Sequence, residues 1–177
     1  MAISKDVINR TNQFIKDNDQ FFKEAPVNIN EIVNVCKITK KEYPFDNDIS
    51  GVLIIDKSNQ KVTIGVNSNT ISEQRKNFTV AHELGHFILH NNNMSNTFVD
   101  NIFFRKKAEG YTSKEEKIEK EANYFAANIL MPEHLVKKEF SNLESDWFDD
   151  ESVSNLADKF AVSNSAMLYR LINLKLI

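Results

Sequence analysis

The sequence predicts a small α+β domain, with an antiparallel sheet packed on two amphipathic helices and a helical C-terminal extension. Residues 49–55 (ISGVLII) and 61–67 (KVTIGVN) read as two strands joined by the turn-forming DKSNQ. Residues 72–90 and 113–131 each repeat apolar side chains at helical spacing. Beyond residue 136 the pattern is one of short helices. The chain of 177 residues suits one compact domain, and 41% hydrophobic against 27% charged residues is an ordinary globular balance. With 22 Lys and Arg against 25 Asp and Glu, the net charge is −3, which argues against a broad nucleic-acid-binding surface. Cys36 is the only cysteine, so no intramolecular disulfide forms and a reducing compartment is expected. MAISKDVINR carries no apolar leader and no run of about 18 apolar residues follows, so no membrane span and a cytoplasmic location are expected.

Taken in order, Ile3, Val7, Ile8, Phe14, Ile15, Phe21 and Phe22 predict an amphipathic helix within residues 1–24 that lies on a core. Pro26 interrupts it. Asn28 or Asn30 then caps a short helix through Ile32, Val33 and Cys36, with Cys36 expected as a small core side chain. Gly51 and Gly65 inside the strands point to bulges or to close backbone approach. The central helix is expected from Ser72, a suitable N-cap, to His90, with Phe78, Ala81, Leu84 and Ile88 as its buried stripe. Gly85 inside it costs about 1 kcal/mol relative to Ala, and with so few glycines in the chain it suggests that a second backbone comes close. Residues 97–104 (TFVDNIFF) read as a further strand and Arg105-Lys106-Lys107 as a solvated turn. Ser113 and Glu116 form a capping box, and Pro132 ends the next helix.

The chemistry concentrates at His82-Glu83-Leu84-Gly85-His86. On a helix His82 and His86 share one face, one turn apart, where two imidazoles can hold one Zn²⁺. Glu83 beside them is the residue type that takes a proton from water at such an ion. His90 is about 12 Å from His82 along a straight helix, too far to share that ion, and is expected to be a satisfied or surface histidine. The longer three-histidine motif is excluded, because Leu89 and Asn92 stand where it needs Gly and His. A third ligand must come from elsewhere. Glu119 and Glu121 on the second helix are the candidates. Glu119 falls between Ala126 and Leu130 on the apolar face, where a carboxylate is costly unless paired or metal-bound. That favours Glu119 and leaves Glu121, at the edge of the face, as the alternative. Asn123 lies one turn beyond Glu119, placed to accept from the second nitrogen of a ligand histidine. Tyr124 points away from that face, and His134 has no assigned role.

Two stretches together resemble the ImmA/IrrE family of metallopeptidases. They are Arg75-x-x-Phe78-Thr79-x-Ala81-His82-Glu83-Leu84-Gly85-His86 and Glu119-x-x-Ala122-Asn123-x-Phe125-Ala126-Ala127-x-x-Leu130-Met131-Pro132. Ser50-Gly51-Val52, Val66-Asn67 and Phe104-Arg105 are similar to that family as well. The resemblance implies a zincin-like fold over residues 26–135, preceded by an N-terminal helical segment (1–25) and followed by a helical cap (136–177). It further implies site-specific cleavage of a transcriptional repressor of the Xre/cI type, encoded beside the peptidase on a phage or mobile element. The site expected is Zn²⁺ held by His82, His86 and Glu119, with Glu83 as the proton carrier. The rival is a catalytically silent regulator that binds a repressor or DNA.

At the end of the chain, residues 144–151 (ESDWFDDE) are expected as a solvated acidic loop. Residues 152–177 give two short helices joined at Ala161-Val162-Ser163, a partial helix-turn-helix pattern. Its basic residues are Lys159, Arg170 and Lys175, too few for a phosphate-binding face, so packing or partner docking is favoured over DNA binding.

Overall fold

The computed structural model describes residues 2–46, 49–90, 113–143 and 149–177. The sequence-predicted strand at 97–104, the basic triplet 105–107 and most of the acidic stretch 144–148 lie outside them. The architecture is α+β, as expected. Helix α1 (Lys5–Asp17) is capped by Ser4, whose hydroxyl accepts from Val7 N, and a short 3₁₀ turn (Asp19–Phe21) follows. Helix α2 (Ile29–Val35) is capped by Asn28, whose side-chain oxygen accepts from Asn30 N and Glu31 N. Cys36 ends that helix half-buried, and burial pushes its thiol pKa up.

Strands β2 (Gly51–Asp56) and β3 (Lys61–Asn67) form the expected antiparallel pair, with Gly51 opposite Val66 and Asp56 opposite Lys61. Their turn is held by Asp56 Oδ1, which accepts from Ser58 N and Asn59 N at 3.0 and 3.1 Å. A third strand, β1 (Ile38–Tyr43), was not foreseen. It runs parallel to β3 on the side away from β2, so the sheet is mixed, in the order β1-β3-β2. Its sequence, ITKKEY, places mostly polar residues on an edge strand, so no apolar alternation marks it.

Helix α3 (Glu73–His90) lies against β2, β3 and α2 on one side and against α4 (Ser113–Leu130) on another. That double packing explains a departure from the expected stripe. Ala81 and Leu84 are fully buried, Phe78 and Ile88 only partly, and the polar face of α3 is buried as well. At its start Ser72 Oγ accepts from Arg75 N, and Lys76 reaches Glu42 of β1 at 3.1 Å. Two glycines let the layers close. At Gly51 a Cβ would collide with Thr79 Cγ2 and stand 3.5 Å from Glu83 Oε1. At Gly85 it would stand 3.2 Å from the Ala122 carbonyl and 3.1 Å from Phe125 Cδ1. The second backbone expected beside Gly85 is therefore that of α4.

Pro132 separates α4 from α5 (Glu133–Ser141). Then come α6 (Asp150–Lys159) and α7 (Asn164–Asn173), joined through Ala161 at a left-handed φ of 51°. Asp149 caps α6 and accepts from Ser152 N at 2.9 Å, with Asp150 and Glu151 in the first turn. The end of the acidic stretch is thus helix N-terminus rather than loop, because acidic side chains suit the positive end of the helix dipole. Arg170 of α7 is turned inward, donating to Met131 O and Asn128 Oδ1 at 2.9 Å each. Lys159 pairs with Glu139. One cluster of buried residues runs from Val7 in α1 to Leu171 in α7. Among the described residues no helix is long and apolar enough to cross a membrane.

Gly85 gives a testable consequence of this packing. Alanine is worth about 1 kcal/mol over glycine in an unhindered helix interior, but here its Cβ meets backbone on α4. Gly85→Ala is expected to give no gain in the urea midpoint. Gly85→Val is expected to lose about 1–3 kcal/mol, as overpacked cores do.

Candidate metal centre

The centre is built from two helices. On α3 the four-residue spacing puts His82 and His86 on one face, and their Nε2 atoms lie 3.0 Å apart. On α4 Glu119 faces them, with Oε2 at 3.3 Å from His82 Nε2 and Oε1 at 3.1 Å from His86 Nε2. Both histidines are 1% exposed, whereas the Glu119 side chain keeps 24% of its surface. Among the described residues these three form the group of metal-ligand side chains whose donor atoms fall within 4.8 Å of one another. Two ligands each about 2.0–2.1 Å from one tetrahedral ion stand about 3.3 Å apart. The three separations match that span, so the donor set fits a divalent cation such as zinc.

The surroundings orient the donors. His82 Nδ1 donates to Asn123 Oδ1 at 2.9 Å. This fixes the tautomer and leaves the Nε2 lone pair facing Glu119. Burial alone would push the Glu119 carboxyl up. Hydrogen bonding and attraction to His82 and His86 outweigh that and hold it well below the usual carboxylate range. Glu83, 1% exposed, is on the same helix with Oε1 beside the spot where a Cβ of residue 51 would stand. Strand β2 thus reaches the centre through a glycine. The sequence marked Gly51 as a close-approach position without saying what approached.

Glu121 takes a different place. It is 6% exposed, with Oε2 at 3.8 Å from His90 Nε2 and Oε1 at 3.8 Å from Lys117 Nζ. His90 is buried, not at the surface, and its ring lies tilted against that of His86, with centroids 5.7 Å apart. Burial, helped by the Arg10 guanidinium, pushes its pKa down to about 4, so it is neutral at neutral pH. His134 Nε2 donates to Phe22 O at 2.8 Å, a bond between α5 and the N-terminal segment that sequence spacing could not reveal.

Comparison with known proteins places the chain among relatives. A peptidase family model described as the IrrE N-terminal-like domain matches residues 37–172. Metallopeptidase ImmA of Bacillus subtilis (strain 168) is 30% identical over 112 residues, which is 62% of this chain and 59% of that protein. A solved structure, a Mycobacterium tuberculosis transcriptional regulator, shares the fold with a TM-score of 0.56 at 10% identity. That match covers 96% of this chain and 47% of the regulator. The chain therefore spans less than two thirds of the length of either relative. The family match takes in α3 and α4, the sheet from its first strand and most of the C-terminal helices. On that span, the chain belongs to the ImmA/IrrE family of metallopeptidases.

Proposed function

We propose that this chain is a zinc-dependent, site-specific endopeptidase acting in the cytoplasm. The substrate proposed is a transcriptional repressor of the Xre/cI type encoded beside it on a phage or mobile element. The observation that carries the reading is the convergence of His82, His86 and Glu119 at 3.0–3.3 Å with Glu83 buried next to them. Three protein donors suit a catalytic rather than a structural zinc site, since structural sites are closed by four. The repressor comes from the family resemblance.

In this reading His82, His86 and Glu119 hold the ion, and Asn123 keeps His82 in the binding tautomer. Zinc, when bound, supplies Lewis acidity that makes water a nucleophile near neutral pH and polarises a scissile carbonyl. Glu83 accepts the proton of the attacking water on a carboxylate oxygen and passes it to the leaving amide nitrogen. Its burial keeps bulk water from competing for those oxygens. Gly51 keeps the space beside Glu83 free of a side chain.

Glu83→Gln keeps shape and hydrogen bonding but cannot take the proton. Purified variant should hold zinc as the wild type does and lose the single cut in the neighbouring repressor, by about 10²-fold or more. Equal cleavage would remove Glu83 from the mechanism. In chelator competition, Glu119→Ala should weaken zinc binding far more than Glu121→Ala; the reverse order would make Glu121 the ligand. Stripping the metal with EDTA should stop cleavage and added Zn²⁺ should restore it, whereas cleavage that persists in the stripped protein would rule out a metal-dependent reaction.

A further inference from the structure

We propose that Arg10, on the N-terminal helix and outside the family-matched residues 37–172, is a positioning residue for the metal centre that acts through His86. The proposal rests on the metal-centre reading above. Arg10 reaches across to the end of α3 and donates to two successive carbonyls, Leu89 O at 2.7 Å and Ile88 O through its other nitrogen. Carbonyls in the last turn of a helix run out of intrahelical donors, and that turn is where helices fray. A planar guanidinium meets two of them at once in a fixed geometry, which an ammonium cannot do. His86 stands immediately before this turn, and its Nε2 must lie within about 3 Å of both His82 and Glu119 for the donors to converge.

The same helix grips the partner element. Val7 and Thr11 are buried, and the Phe14 ring lies 5.3 Å from Phe125, the side chain that fills the space beside Gly85. Helix α1 therefore touches α3 just past His86 and touches α4 at Phe125, beside Gly85. Asp6, one turn earlier, lies 3.9 Å from Arg10 on the solvent side. A segment outside the family-matched span thus sets the relation between the two ligand-bearing helices.

The test compares Arg10→Met and Arg10→Lys with Arg170→Met in the full chain. Arg170 is a second arginine bonded to a backbone carbonyl, at the α4–α7 junction and away from the donors. Zinc affinity is read by chelator competition, the donor geometry by the visible absorption of the Co²⁺-loaded protein, and folding by thermal melting of the metal-free protein. Arg10→Met is expected to bind zinc about tenfold more weakly and to shift the Co²⁺ band, with Arg10→Lys recovering only part of each. Arg170→Met is expected to lower the melting temperature while leaving affinity and band unchanged. Wild-type affinity and an unshifted band in folded Arg10→Met would overturn the proposal, as would an equal loss in Arg170→Met. If Arg10→Met does not fold, Arg10→Lys decides on the same two readouts. Wild-type protein that binds neither zinc nor cobalt would overturn the metal-centre reading and the proposal with it, whereas normal wild-type binding with an unaffected Arg10 variant overturns the positioning role alone.

Discussion

Two helices can bring imidazole and carboxylate groups to within 3.0–3.3 Å of each other only if their backbones come close, and here that closeness depends on Gly85. Its missing Cβ leaves room for the Ala122 carbonyl and the Phe125 ring, each at a distance a side chain would contest. Because His82 and His86 flank Gly85 on α3, while Glu119 and Asn123 flank Ala122 on α4, the crossing point and the donor cluster are one place. A shift of the crossing by a few tenths of an ångström would be passed directly to the donors, since packed interiors transmit displacement rather than absorb it.

The electrostatics of the crossing separate two acidic residues that lie only two positions apart on α4. Glu119 turns to a pair of imidazoles and is held anionic by them. Glu121 is more deeply buried yet sits with His90 and Lys117, on the other side of α4 and one turn further along α3. Burial by itself does not separate the two carboxylates; what surrounds each of them does. His90, kept neutral by its burial and the nearby Arg10 guanidinium, adds no charge beside the donor cluster.

At the C-terminal end, α6 and α7 have the outline of a helix-turn-helix, but their chemistry serves packing. Arg170, one of three basic residues in the region, is spent on Met131 O and Asn128 inside the protein, and Lys159 on Glu139. Among the residues α7 shows to solvent are the large hydrophobics Leu168, Tyr169 and Ile172, beside the polar Asn164, Ser165 and Asn173. A buried arginine bonded to the carbonyl just past the end of α4 ties these helices to the element that carries Glu119, so they continue the core rather than form an appendage.

Local rules were enough to place most elements. Ser72, Asn28 and Pro132 mark helix boundaries through hydrogen bonding and ring geometry that act within a few residues, and the β2–β3 pair follows from alternation and a tight turn. The four-residue spacing of His82 and His86 gave their shared face by helix geometry alone, and the expected apolar stripe favoured Glu119 over Glu121, although Glu121 is the more buried of the two. Strand β1 was not legible, because an edge strand of lysines, threonine and glutamate gains its place from pairing with β3 and not from its own pattern. Nor were the burial of His90, the approach of Gly51 to Glu83, or the reach of Arg10 across 79 residues to Leu89. Each of these is a contact between segments distant in sequence, decided by which backbones pack together, and no periodicity within a single segment records it.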